Sequence, residues 1–266
     1  MGFSIEGKTA IVTGSANGVG LAIARHFVDK GANVMFADMD EDSLVKECGT
    51  TQEDGNMRYF AGDLRERLTM ANLLSATLDA FDRVDILVNG SRQTMQSSPL
   101  DFDDGSVEQM LSQNLMTSLR LSQLVAKRMI KQAEGQDEGQ VGSIINLSSI
   151  AARRTHPELL GYSVSCAALD QMTRSMAVAL APERIRVNAV AFGSVMSASL
   201  RGILKEHKDY RADIEQHTPL GRIAAPEELA EAVQFLACEG SSFMTGQIMT
   251  IDGGRTLLDP VAAPAH

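Results

Sequence analysis

Tryptophan is absent from the 266 residues, and aromatic residues together make up 5%. So sparse a set does not build the stacking platform that single-stranded nucleic acids use. Basic residues are in the minority: 24 Lys and Arg stand against 34 Asp and Glu, a formal net charge of −10. That balance argues against a phosphate backbone or an anionic membrane surface as partner. Cysteine is rare, and Cys48, Cys166 and Cys238 are widely spaced with no CxxC pair. A scattered, odd set gives neither a disulfide framework nor a zinc site and fits a reducing compartment, so a cytoplasmic protein is expected. No apolar run approaches the ~18 residues of a membrane span. The opening MGFSIEGKTAIVTG lacks the charged, apolar and small-residue blocks of a secretory signal.

With 44% hydrophobic residues the chain can bury a sizeable core, and residues 1–266 show no repeat and no linker. One α/β domain is expected. Thr9 to Thr13 is a β-rich run that leads into Gly14-Ser15-Ala16-Asn17-Gly18-Val19-Gly20 and then a periodic helix to about Asp29. Gly31 caps it, and Ala32 to Ala37 is a second apolar run, which makes a βαβ unit. A polar helix is expected from Asp38 to about Thr51, strands at Met57–Ala61 and Asp85–Val88, and a helix between them from about Leu68 to Phe81. A long helix follows over Ser106–Ala133, then a strand at 143–148, a helix from about Gly161 to Ala181 and a strand over Arg184–Val190. Residues 192–218 read as a substrate loop, Pro226 opens another helix, Gln247–Ile251 is a seventh strand, and Pro260–His266 is a tail. Near-continuous apolar strands alternating with helices indicate a parallel sheet covered on both faces.

Four places carry chemistry. The glycines between first strand and first helix let the backbone turn tightly and approach a pyrophosphate, whose charge the helix N-terminus favours. Asp38, about 20 residues further on, can accept from ribose hydroxyls and would repel a 2′-phosphate, which favours NAD over NADP. Asp63 and Asn89 end the third and fourth strands, where ligands bind in open α/β sheets, although either residue is also a common turn former. Ser149 ends the fifth strand, and Tyr162 opens the following helix with Cys166 one turn along the same face. A hydroxyl and a phenol meeting there make an acid/base pair. The phenol's reference pKa lies near 10, so it needs a positive neighbour to act as a base at neutral pH. His156 beside Pro157 and the adjacent Arg153 and Arg154 read mainly as solvated loop residues, and Cys166 as a small buried filler.

These features resemble the short-chain dehydrogenase/reductase family over roughly residues 5–256. The matching stretches are TGSANGVG at 13–20, Asp38, Asp63-Leu64, ILVN at 86–89, Asn114, Ser149 with Tyr162, RIRVNAV at 184–190 and TGQIMTIDGG at 245–254. The resemblance implies a three-layer, doubly wound Rossmann fold with a seven-stranded parallel sheet and three helices on each face. It implies NAD as cofactor, a small alcohol or carbonyl substrate, and a homotetramer or homodimer. Carried onto this chain, Tyr162 is the general acid/base, Ser149 orients the substrate oxygen and Asn114 holds a relay water. Gly14, Asn17, Gly18, Val19, Gly20, Asp38, Asp63, Leu64, Asn89 and Tyr162 bind the cofactor.

Three departures from the family pattern fall at the expected reaction centre. The lysine four residues after the tyrosine is Cys166, and no lysine occurs between Lys131 and Lys205. The Asn-Asn-Ala-Gly turn reads Asn89-Gly90-Ser91-Arg92, and the Pro-Gly after the sixth strand reads Phe192-Gly193. The leading expectation is an NAD-dependent oxidoreductase with altered or weakened catalysis, in which Arg92, or behind it Arg153 or Arg154, replaces the missing charge. The alternative is an NAD-binding pseudo-enzyme acting as a regulatory or scaffolding subunit. A lyase- or dehalogenase-like chemistry fits least, because the cofactor motifs are intact.

Overall fold

The short apolar runs become strands: β1 Thr9–Thr13, β2 Asn33–Asp38, β3 Met57–Ala61, β4 Ile86–Asn89, β5 Gly142–Ser149, β6 Ile185–Phe192 and β7 Ile248–Ile251. The computed structural model describes residues 2–49 and 55–259. The expected tail at Pro260–His266 and the far end of the helix expected to reach Thr51 lie outside the described residues. All seven strands run parallel, in the order β3-β2-β1-β4-β5-β6-β7. From β1 the chain first adds β2 and β3 on one side, then returns and builds the rest on the other. The connections therefore diverge beyond the carboxyl ends of β1 and β4, the switch point where open α/β sheets bind ligands.

The helices are α1 Gly18–Asp29, α2 Glu41–Cys48, α3 Arg67–Phe81, α4 Ser106–Met110, α5 Thr117–Gln132, α6 Leu160–Leu180, α7 Ala198–Glu206, α8 Asp209–Gln216 and α9 Pro226–Ala237. Strand side chains alternate between faces. Ala10, Val12, Val34, Phe36, Ile86 and Val88 pack with Ile23 and Phe27 of α1, Leu44 of α2 and Val233 of α9. Ile11, Met35, Leu87 and Ile144 face Leu73 of α3, Leu121 and Val125 of α5 and Ala177 of α6. Three helices thus cover each face, which is the three-layer Rossmann architecture expected from the sequence. Among the described residues no helix is long and apolar enough to cross a membrane.

The expected helix over Ser106–Ala133 is not continuous. A wide π turn, Leu111–Met116, separates α4 from α5, and π turns often mark functional positions. The turn is stabilised locally: Thr117 donates from both N–H and hydroxyl to the Ser112 carbonyl, and the Ser118 hydroxyl donates to that of Asn114. Period counting does not register one extra residue in a turn. The helix after β2 starts later than expected, at Glu41, because the Asp40 carboxylate caps it by accepting from the Ser43 N–H at 3.1 Å.

Candidate active site

Close backbone approach shapes the carboxyl edge of the sheet. Gly14 sits at φ +71°, and a Cβ there would lie 2.5 Å from the Gly90 carbonyl oxygen. The Thr13 hydroxyl accepts from the Gly90 and Ser91 N–H groups at 3.0 and 3.1 Å, so the ends of β1 and β4 are tied together. A Cβ on Gly20 would collide with the Gly14 carbonyl, so only glycine lets α1 sit directly on the turn. The N-terminus of α1 therefore opens onto the edge, with no acidic residue in its first turn and no side-chain cap from Asn17.

A cleft of about 530 Å³ lies there, and Gly14, Asn17, Gly18, Val19, Gly20, Asp38, Asp63 and Leu64 all line it. Asp38 is held at the end of β2: one carboxylate oxygen accepts from the Ala16 N–H at 3.1 Å, the other from the Met39 N–H at 2.7 Å. Asp63 is ion-paired with Arg65, which holds its carboxyl below the usual carboxylate range. Free N–H groups, glycine-permitted approach and a fixed carboxylate at the next strand end fit an adenine dinucleotide. Asn89 is placed differently. Its amide is buried and donates to the Ser122 hydroxyl and to Asn146 at 2.9 and 2.8 Å, so it braces β4 against β5 and α5 while its neighbours Gly90 to Thr94 line the cleft.

At the other end the structure brings Ser149, Tyr162 and Cys166 together. Tyr162, 6% exposed, packs against Cys166, and the side chains of Ser149 and Cys166 both act on its hydroxyl. Burial is the largest influence on the phenol and raises its pKa, Arg92 opposes that rise, and Cys166 adds to it. Burial also raises the Cys166 thiol, again opposed by Arg92. Both groups keep their protons at neutral pH. Asn114 serves the neighbouring loop: its side-chain oxygen accepts from the Gln93 N–H at 2.9 Å, and its amide donates to the Gln93 carbonyl and the Ser165 hydroxyl. Tyr162, Ser149 and Asn114 do not line the cleft, whereas Arg92, Gln93 and Phe192 do.

A family model described as Enoyl-(Acyl carrier protein) reductase matches residues 14–256. A 3-oxoacyl-[acyl-carrier-protein] reductase, FabG, of Thermotoga maritima is 31% identical over 95% of this chain and 99% of its own. Two solved structures share the fold. A short-chain type dehydrogenase/reductase from Mycobacterium marinum has a TM-score of 0.83 and 28% identity, covering 97% of this chain and 98% of that one. A 7α-hydroxysteroid dehydrogenase complexed with NADH and 7-oxo glycochenodeoxycholic acid has a TM-score of 0.84 and 29% identity, covering 95% and 96%. The chain belongs to the short-chain dehydrogenase/reductase family.

Against the family's pattern, two departures turn out to be partners. The Arg92 guanidinium carbon lies 4.1 Å from the centroid of the Phe192 ring, and its Nη1 donates to the Ser148 carbonyl at 3.1 Å. The residue replacing glycine after β4 thus stacks on the residue replacing proline at the end of β6, and it acts electrostatically on Tyr162 and Cys166. Arg153 and Arg154 turn elsewhere, to the Thr250 hydroxyl and the Thr256 carbonyl. His156 is exposed, and its Nδ1 accepts from the Glu158 N–H. Sequence reasoning missed Asp170, which is buried and accepts from the Ser148 hydroxyl at 2.6 Å. Burial raises its carboxyl pKa. Its signal was available: it lies one turn beyond Cys166 and two beyond Tyr162 on the same helix face.

Proposed function

We propose that this oxidoreductase is NAD(H)-dependent and works chiefly as a carbonyl reductase with slowed proton handling. The observation that carries this is the buried Tyr162 hydroxyl within reach of Ser149, still protonated, with Arg92 the cation acting on it. A protonated phenol is a competent acid and a poor base. Bound nicotinamide would supply the hydride. Tyr162 gives its proton to the carbonyl oxygen, and Ser149 holds that oxygen by donating its own hydroxyl proton. Arg92 then stabilises the phenolate left on Tyr162, a task for which a planar guanidinium replaces an ammonium only in part. Asn114 fixes the Gln93 backbone and so the wall of the substrate side. Cytoplasmic location and assembly into a homotetramer or homodimer belong to the same proposal.

The α1 N-terminus would hold the pyrophosphate, and Asp38 the adenosine ribose. A carboxylate pinned by three backbone N–H groups, those of Ala16, Met39 and Asp40, has no room to turn away from a 2′-phosphate. Asp38→Ser is accordingly expected to shift the ratio of NADPH to NADH affinity by about tenfold or more toward NADPH. Titration of each nucleotide by its own fluorescence measures this. An unchanged ratio would place the ribose elsewhere.

The test of the function is the same NADH titration followed by a panel of aldehydes, ketones and alcohols. Saturable binding with NADH oxidation on a carbonyl, faster than the reverse reaction at neutral pH, is expected. Tight binding without turnover on any compound would replace this reading by a non-catalytic nucleotide-binding role.

A further inference from the structure

Arg92 holds more donors than the protein uses. A guanidinium carries five N–H groups in a planar fork. Nη1 donates to the Ser148 carbonyl, and the flat face lies on Phe192. Among the described residues no carboxylate pairs with Arg92 and no other hydrogen bond is made to it. The carbonyl and the ring fix the plane of the fork, and Arg92 lines the cleft. It is the only cation among the described residues lining that cleft. The sheet order sets it apart from the two acids: Asp63 and Asp38 end β3 and β2, whereas Arg92 reaches toward the ends of β5 and β6.

We propose that Arg92 is a carboxylate-binding residue and that the substrate is an oxo acid, a carbonyl compound that carries a carboxylate. This rests on the reading of the protein as a carbonyl reductase. A preoriented guanidinium fork matches a carboxylate edge to edge, with two parallel N–H···O bonds. Asp38 disfavours an anion at the adenosine end, where Asp63 is already paired with Arg65, so the charge layout favours one orientation. A phosphate monoester would need further donors, and the α1 N-terminus across the cleft is occupied by the cofactor's own phosphates in this reading.

A carboxylate at Arg92 also accounts for the site's chemistry. Seated there, it offsets part of the charge that opposes burial at Tyr162, which keeps the phenol protonated until hydride transfer puts negative charge on the carbonyl oxygen. That is the state reduction requires. The carbonyl carbon takes a hydride from NADH, its oxygen takes the phenol proton, and the product is the hydroxy acid. As that product leaves, Arg92 is uncovered, its charge supports the phenolate, and solvent returns a proton to Tyr162.

The test compares pyruvate, acetoacetate and levulinate with their methyl esters, and dihydroxyacetone phosphate with dihydroxyacetone, in the wild type, Arg92→Leu and Arg92→Lys. In the wild type at least one acid is expected to exceed its ester roughly tenfold or more in kcat/KM, mainly through KM. Arg92→Leu is expected to bring that ratio to about one, and Arg92→Lys, which keeps the charge and loses the fork, to retain part of it. Equal rates for acid and ester in the wild type, a preference that survives Arg92→Leu, or preference for the phosphate would overturn the proposal. A second measurement does not need turnover: the thermal shift of the NADH complex on adding each acid or ester. Stabilisation by the acid alone, lost in Arg92→Leu, is expected; equal shifts for acid and ester overturn the proposal. Failure to reduce any compound counts against the reductase reading, while the thermal shift still decides the carboxylate site. If Arg92→Leu weakens NADH binding and leaves the acid-to-ester ratio intact, the guanidinium serves the cofactor and the proposal fails.

Discussion

Replacing Tyr162 with phenylalanine is expected to lower carbonyl reduction by about 10²–10⁴-fold, the range typical of a lost general acid, and to leave NADH binding in place. The ring is buried and its position is set by α6, so the phenyl group occupies the same space. Only the oxygen is lost, and with it the proton donor and its interaction with Ser149 and Cys166. Losing a polar interaction of this kind costs about 1 kcal/mol in stability, which leaves the fold intact. The cleft proposed for the nucleotide should be unaffected, because its wall includes the glycine turn, Asp38, Asp63 and the residues after β4, with no contribution from Tyr162. Steady-state NADH oxidation and a parallel NADH titration separate the two effects. A loss smaller than about fivefold would mean that another group supplies the proton, outside the ordinary range for a general acid.

The fold was legible in the sequence because each strand is a short apolar run bounded by turn residues, and parallel sheets buried on both faces demand that pattern. The glycine-lined cleft was legible for a different reason. Gly14, Gly20 and Asp38 act through backbone geometry and strand ends, and those are local properties that spacing reveals. The reaction centre was legible only in part. Ser149 and Tyr162 are close in sequence and join across one short connection. Arg92 and Phe192 are 100 positions apart, and nothing local to either indicates that one ring will carry the other's guanidinium. Asn114, to which the family pattern gives a relay water, fastens Gln93 and Ser165 with its side chain, and nothing in the spacing indicates those partners. Asn89 has the right position for a ligand contact and spends its amide on Ser122 and Asn146.

Restoring a cation at position 166 tests the electrostatic account directly. Cys166→Lys is expected to speed the oxidation of the hydroxy product at neutral pH and to narrow the pH range of reduction. The sign follows from the proton. Burial and Cys166 raise the phenol pKa in the present site, so Tyr162 remains an acid through the neutral range and loses its proton only in alkali. Reduction should therefore be flat across neutral pH and fall only on the alkaline side, while oxidation, which needs the phenolate, should keep climbing as pH rises. An ammonium one helical turn away favours the phenolate and moves both limbs to lower pH. Lowering the phenol pKa by about one multiplies the phenolate fraction at neutral pH about tenfold, and the neutral-pH oxidation rate should follow it. Asp170, one turn further along α6 and buried, can take the new charge as a counter-ion, which offsets the repulsion from Arg92. The pH profiles of kcat in both directions, compared between wild type and variant, make the measurement. Limbs that do not move, or a fall in both directions, would show that the pocket has been rebuilt around the thiol and Arg92, with no vacancy for the lysine of the family pattern.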